Sequence, residues 1–94
     1  MIVRVARFSA GRPDLGLDRS EWVIEALRDV AGVHALYHCM ADDGSAVSIT
    51  VFEDPEAADA AMKVIEAARE RLGIEVAPAD DAVMYEVVGS LERP

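Results

Sequence analysis

The two histidines, His34 and His38, carry the side chains best suited to proton transfer in this chain. An imidazole titrates near neutral pH and can act as a general acid or base. Residues 33–40 have the composition of a strand, which separates the two Cα atoms by about 13 Å, too far to share one metal ion. The sequence therefore predicts no metal site. His38 is a candidate catalytic residue, with a structural role in the sheet as the alternative.

A phenol and a thiol are the next candidates. Tyr85 can position a phenolic ligand or donate a hydrogen bond to a developing oxyanion. Alternatively, it is a core tyrosine whose hydroxyl bonds a backbone carbonyl. Cys39, the single cysteine, has no activating cation beside it in the sequence and is interpreted as a buried thiol.

Arg4 and Arg7 lie in a segment that alternates like a half-buried strand, on opposite faces. A buried guanidinium requires an anion. For Arg4 that anion is either Glu53 or Glu86 in an internal ion pair, or a ligand. Arg4 is therefore a candidate ligand contact.

The remaining candidate ligand contacts are Trp22, Ser48, Thr50 and Phe52. Trp22 falls on the inner face of a helix, where it belongs to the core or a dimer edge, or lines a cavity. Ser48 and Thr50 share a strand face with Phe52, and small side chains there leave room for a pocket. A serine nucleophile needs a partnered base, and none is evident.

Four strands are predicted to position these residues. Residues 2–9, 33–40, 46–53 and 82–88 are rich in β-branched or alternating apolar residues. A tight Asp-Gly turn at 41–45 joins the second strand to the third as a hairpin.

Two helices are predicted between the strands. The first begins with Asp18 as N-cap, has Glu21 three residues later, and ends at Gly32 as a left-handed C-cap. The second begins with Asp54 as N-cap before a proline and ends near Gly73. The resulting βαββαβ order predicts an α+β ferredoxin-like fold, with both helices on one face of a four-stranded antiparallel sheet.

The other sheet face and the composition predict self-association. Val47, Ile49 and Val51 on the uncovered face are too apolar for water, and a second copy would cover them. The chain has 94 residues, which fits one domain with a short tail at 89–94, and a hydrophobic fraction of 52%. It has too few cysteines for an intrachain disulfide. Oligomerisation is a common remedy for such small cores.

The net charge of −9 argues against nucleic acid and anionic membrane surfaces as partners, since both require clustered Lys and Arg. Neither a signal peptide nor a membrane-spanning apolar run is recognised. One unpaired cysteine fits a reducing compartment. The expected location is therefore cytoplasmic.

Several segments together resemble a known family. They are the start Met-Ile-Val-Arg-Val-Ala-Arg-Phe, the step Phe52-Glu53-Asp54 before an alanine-rich helix, and Tyr85-Glu86-Val87 near the end. This pattern is similar to the antibiotic biosynthesis monooxygenase (ABM) domain of the dimeric α+β barrel superfamily. The resemblance implies a homodimer whose pocket lies under the helices, on the face that carries Arg4, and a small aromatic or polyketide-like ligand. It implies no cofactor.

Departures from the family pattern narrow the expected activity. Haem-degrading relatives share an Asn on the first strand, a Trp at the end of the third and a His on a later helix. This chain has no Asn, has Phe52 at the Trp position, and lacks His in its second helix. Haem degradation is therefore not expected, and the case for cofactor-free oxygenation is weakened as well.

Three functional hypotheses follow. The first is an ABM-like oxygenase or isomerase, with Arg4, His38, Tyr85 and Trp22 around the cavity. The second is a non-catalytic module that binds a small apolar ligand, and the third is a dimerisation domain with a filled core. A ligand-sensing βαββαβ domain of regulatory proteins is a competing assignment, although no catalytic or DNA-binding domain accompanies it in this sequence.

Overall fold

A computed structural model describes residues 1–10, 17–74 and 79–94, and only the backbone of residues 17–20. In these ranges the element order is the predicted βαββαβ. Most of the predicted loop 10–17 and half of the predicted loop 74–81 lie outside the described residues. The elements are β1 (Ile2–Phe8), α1 (Leu17–Leu27), β2 (Val33–Met40), β3 (Ala46–Phe52), α2 (Pro55–Leu72) and β4 (Asp81–Glu86).

The four strands form one antiparallel sheet in the order β2-β3-β1-β4. This order confirms the ferredoxin-like fold class. The predicted hairpin between β2 and β3 is also confirmed, because the Ala41 N–H donates to the Ser45 carbonyl at 2.8 Å. The Asp43 carboxylate accepts hydrogen bonds from the Ser45 N–H and hydroxyl, and these bonds lower the pKa of Asp43.

Helix α2 has the predicted ends. The Asp54 carboxylate accepts a hydrogen bond from the Ala57 N–H at 2.8 Å, and Pro55 occupies the first turn. Gly73 adopts the left-handed conformation with φ of 66° and closes the helix, its N–H donating to the Glu70 carbonyl. Local chemistry at both ends was therefore sufficient to place this helix.

Both predicted ends of α1 are wrong. The helix begins at Leu17, so Asp18 lies inside it, and it ends at Leu27, so Gly32 does not cap it. Gly32 does have a positive φ of 84°, as predicted. It lies instead in the connection to β2, where its carbonyl accepts the Glu53 N–H at 2.8 Å.

The core lies between the helices and the β2–β3 half of the sheet. Phe52 is completely buried against Leu27 and the alanines Ala57, Ala58 and Ala61. Small side chains on α2 let the helix lie close to the sheet. The helices contact each other, β2 and β3. Within the described residues, no helix is long and apolar enough to cross a membrane.

The last strand stops two residues before the predicted end. β4 ends at Glu86, and the Val87 N–H donates to the Met1 carbonyl at 3.1 Å. Residues 87–94 follow as a tail outside the regular elements, while all six residues of β4 are exposed.

Candidate functional site on the sheet faces

The strand register divides the sheet side chains between two faces. The helix-side face packs on the core. It comprises Ile2, Arg4, Ala6, Phe8, Leu36, His38, Met40, Ala46, Ser48, Thr50, Phe52, Ala82, Met84 and Glu86. The open face has no covering element among the described residues. It comprises Val3, Val5, Arg7, Ala35, Tyr37, Cys39, Val47, Ile49, Val51, Asp81, Val83 and Tyr85.

Five of the seven predicted site residues share the helix-side face. His38 on β2 is directly opposite Ser48 on β3, and Thr50 on β3 is directly opposite Arg4 on β1. Phe52 continues the same face into the core. The structure thus places an imidazole, two hydroxyls and a guanidinium over a patch three strands wide.

His38 presents an unused acceptor or donor on this face. Its Nε2 atom is buried and has no hydrogen-bond partner. Burial lowers the pKa of His38 by desolvating the charged form, so the neutral imidazole is favoured. Buried polar atoms normally have a partner, and an unpartnered one beside small side chains is a position for a ligand group.

Arg4 is the second unpartnered polar group. Its side chain is half-buried, and it forms no hydrogen bond or ion pair with any residue in the described ranges. The ion pair with Glu53 or Glu86 that the sequence suggested is therefore not formed there. Met84, opposite Arg4 on β4, is exposed, so this end of the face is accessible.

The other two predicted site residues, Tyr85 and Trp22, do not lie with His38 and Arg4 on the helix-side face of the sheet. Tyr85 pairs with Val3 on the open face, so within one chain it does not share a cavity with His38, contrary to the sequence hypothesis. Trp22 is half-buried in α1 and is not part of the core cluster.

His34 also departs from the pattern of its strand. The register shifts between Val33 and Ala35, which makes His34 the extra residue of a bulge. The alternation of side chains between the two sheet faces is therefore interrupted between His38 and His34. The side chain of His34 is exposed.

The comparison with solved structures shows which known fold the chain has. A structure of an antibiotic biosynthesis monooxygenase from Chloroflexus aurantiacus superimposes with a TM-score of 0.72 at 14% identity, covering 97% of this chain and 96% of the other. The monooxygenase ActVA-Orf6 of Streptomyces coelicolor, solved with nanaomycin D, gives 0.65 at 20% identity, covering 99% and 92%. SnoaB, a cofactor-independent oxygenase from Streptomyces nogalater, gives 0.66 at 16% identity, covering 98% and 97%.

The chain has an ABM-like fold. No protein-family model and no curated protein sequence matches this ABM-like domain.

The charged residues of the open face, Arg7 and Asp81, lie in one row of the ABM-like domain together with Cys39. Cys39, Val47, Arg7 and Asp81 are neighbours across the sheet. Arg7 and Asp81 form an ion pair at 3.4 Å with both side chains about half exposed, and pairs this exposed contribute little to stability. Cys39 is exposed rather than buried, because its face of the sheet is uncovered.

Two further features of the ABM-like domain were compared with the site around His38, and neither contributes a residue or ligand to it. In the described part of the chain, no three His, Cys, Asp or Glu side chains lie close enough to hold a metal ion. A depression of about 210 Å³ lies at the end of the hairpin and does not have His38 in its lining, which consists of Cys39, Met40, Ala41, Ser45, Ala46 and Val47.

Acidification is expected to destabilise the ABM-like domain through His38. Its pKa is lower in the folded chain than the ordinary value of about 6.5, so the unfolded chain binds the proton first. The contribution of neutral His38 to stability is therefore complete above about pH 6.5 and is lost as the pH falls through the folded pKa.

Chemical denaturation of the wild type and of His38→Phe over about pH 8 to 5 measures this effect. The wild type should lose more stability than the variant. If the free energy of unfolding falls equally with pH in both proteins, desolvation of His38 does not contribute to the pH dependence of stability.

Proposed function

We propose that this chain is a homodimeric small-molecule-binding protein with cofactor-independent, monooxygenase-like activity on a small aromatic or polyketide-like substrate. The substrate lies on the helix-side face between His38 and Arg4. The observation that supports this most directly is that both polar groups lack partners within the described chain. The alternative is a non-catalytic ligand-binding or dimerisation domain.

The spacing of the two groups suits a ligand of two or three fused rings. His38 and Arg4 lie two strands apart and are offset by two residues, a Cα separation of about 12 Å. Ser48 and Thr50 lie on the strand between them. Their short side chains carry hydroxyls that can bond ligand oxygens.

The chemistry of the two groups is complementary. A neutral imidazole can accept the proton of an acidic C–H or phenolic O–H group, and a guanidinium can stabilise the oxyanion that forms. In an anthrone, this converts the ring system into an electron-rich anion that reacts with O₂. One oxygen atom replaces the two methylene hydrogens as a carbonyl, and the other leaves with them as water. The substrate supplies the electrons, so the reaction requires no separate reductant.

The homodimer is proposed from the open face. Its central residues are mostly valine, isoleucine and tyrosine, with Tyr37 57% exposed and Tyr85 47% exposed. Apolar patches of this kind mark interaction surfaces. A second copy related by a two-fold axis presents the same apolar face, and two sheets can then pack about 10 Å apart.

Oxygen uptake with anthrone under air tests the proposed activity, with ¹⁸O₂ to follow the oxygen atom into anthraquinone. We expect His38→Phe and Arg4→Met each to lower kcat/KM at least about tenfold, because each removes a charge or hydrogen-bond partner worth about 1.4 kcal/mol or more. The matched controls His34→Phe and Arg7→Met change the same residue types on the same strands. They should keep most of the activity, since neither residue belongs to the His38–Arg4 group.

Binding of nanaomycin D, measured separately by calorimetry, distinguishes the alternatives. Binding that depends on Arg4 and His38 without oxygen uptake would support a non-catalytic binding module. No binding and no uptake by a well-folded dimer would support a dimerisation domain and contradict the proposed activity.

A further inference from the structure

We infer that β4 pairs edge to edge with β4 of a second copy, antiparallel, about a two-fold axis that passes through Met84. The pairing uses the backbone edge of the sheet and not its open face, so it is a second interface beyond the proposed function. It does not depend on the proposed activity.

β4 is an edge strand whose backbone is bonded on one side. Among the described residues it pairs with β1 alone. The Val87 N–H donates to the Met1 carbonyl, and backbone bonding alternates along an antiparallel ladder, so the odd-numbered residues of β4 bond β1. The N–H and C=O groups of Ala82, Met84 and Glu86 therefore point away from β1, and no described residue bonds them.

β4 lacks the features that commonly keep an edge strand from pairing, which are lysine, proline and bulges. The other edge strand, β2, has a register shift between Val33 and Ala35. The register of β4 against β1 is continuous, and residues 81–86 contain neither Lys nor Pro. The acidic residues Asp81 and Glu86 occupy the two ends of the strand and leave its centre apolar.

The alternation of the backbone limits how a second copy can pair. Outward-facing residues can bond only outward-facing residues, which excludes a register with Asp81 opposite the partner's Glu86. An axis through Val83 would place Asp80 opposite the partner's Glu86 twice, and directly opposed like charges are destabilising.

An axis through Met84 avoids both conflicts. It pairs residues 82–86 of the two strands, whereas axes through Ala82 or Tyr85 would pair shorter stretches of β4. Val83 then lies opposite the partner's Tyr85, a favourable combination of a β-branched and an aromatic side chain. These side chains are 39% and 47% exposed. The strand is thus complementary to itself in one register, and a second copy is the occupant.

The edge contact is smaller than the open face. It adds up to about six backbone hydrogen bonds and falls below the area of a standard stable interface. Edge pairing is therefore a weaker step than the proposed open-face dimer, and we expect it at protein concentrations on the order of 0.1–1 mM.

Residue-resolved amide exchange by NMR tests the pairing in the wild type. The amides of Ala82, Met84 and Glu86 should exchange at least about twofold more slowly at about 1 mM than at about 20 μM, because only edge pairing gives them acceptors. Stacking on the open face leaves these amides without an acceptor.

Substitutions at Met84 separate the backbone from the side chain. Met84→Pro removes the outward N–H and no bond to β1, a position at which edge strands tolerate proline. Met84→Leu keeps the N–H. In sedimentation equilibrium, we expect Met84→Pro to raise the Kd of the weaker step at least about tenfold and Met84→Leu less than about threefold.

A lysine at position 82 tests the register. Ala82 lies opposite the partner's Glu86 but about 13 Å along the strand from Glu86 of its own chain. Ala82→Lys should therefore lower the Kd of the weaker step at least about threefold. Ala60→Lys makes the same charge change at an exposed position of α2 and should change it less than about 1.5-fold.

Three results would overturn the inference. Exchange of the outward amides at one rate at every concentration would show that the edge does not pair, whatever the open face does. Strong protection that does not depend on concentration would show that these amides are bonded within one chain. Equal effects of Ala82→Lys and Ala60→Lys would show that the axis does not pass through Met84. A chain without the proposed activity that gives the expected results would support edge pairing alone.

Discussion

Replacing Ile49 with aspartate is expected to convert the proposed dimer into monomers or aggregates. Ile49 lies at the centre of the open face, between Tyr37 on β2 and Val5 on β1. In a two-fold dimer each substitution appears twice, and a carboxylate without a partner is strongly disfavoured in an apolar interface. We expect the dimer Kd to rise by at least about 100-fold, which corresponds to about 2.8 kcal/mol. Light scattering coupled to size-exclusion chromatography measures the change.

Two further variants separate the interface from the stability of the monomer. Tyr37→Asp alters an exposed open-face residue, so it should leave the monomer folded and still weaken the dimer. Ala60→Asp adds the same charge to an exposed position of α2 and should leave the dimer intact. A stable dimer of both Ile49→Asp and Tyr37→Asp would show that the open face is not the interface.

Replacing Gly32 with alanine is expected to destabilise the fold more than a conformational argument alone predicts. Its φ of 84° costs an L-residue with a side chain about 1–2 kcal/mol. A Cβ atom at this position would also lie 2.6 Å from the Ala57 Cβ atom, so α2 or the connection must move. We expect a total loss of about 2–4 kcal/mol, measured by urea denaturation.

Gly44 provides the matched control for this substitution. Its φ of 86° is nearly the same, but a Cβ atom there would meet only the Ala10 Cβ atom at 3.8 Å. Gly44→Ala should therefore lose only about 1–2 kcal/mol, the conformational part alone. Equal losses at the two positions would mean that the approach of Ala57 to Gly32 relaxes freely.

The parts of the fold that sequence could predict are those whose signals are local. The ends of α2 depend on Asp54, Pro55 and Gly73, which act on backbone groups a few residues away. The hairpin depends on the turn at 41–45. The alternation of β3 between Ile49 and Thr50 correctly assigned the two faces. In each case the deciding interaction spans fewer than six residues of chain.

The predictions that failed depend on tertiary structure. Gly32 has the conformation of a helix cap, yet what places it there is its contact with Ala57 and the hydrogen bond from Glu53. Tyr85 could be assigned to a face only with the register of β4 against β1. The exposure of Cys39 follows from the uncovered face, which one strand by itself cannot reveal.

The candidate site was predictable as a set of residues but not as an arrangement. Alternation identified Ser48, Thr50 and Phe52 as one face, and the register then added His38 and Arg4 to it. Whether Arg4 pairs with a carboxylate depends on side-chain positions that no spacing encodes. The missing hydrogen bond at His38 Nε2 has no sequence signal either, because it reflects what the surrounding elements leave open.

The exposure of β4 has a consequence for local unfolding. β4 is hydrogen-bonded to β1 alone, and none of its residues is buried, whereas β3 is paired on both sides and holds Phe52 in the core. Amide hydrogens in β4 can therefore exchange by detachment of one strand, and those in β3 only by opening of most of the sheet. Association on the open face would cover Val83 and Tyr85 and oppose that detachment. The exchange protection of β4 would then increase with protein concentration, while that of β3 would follow the stability of the chain itself.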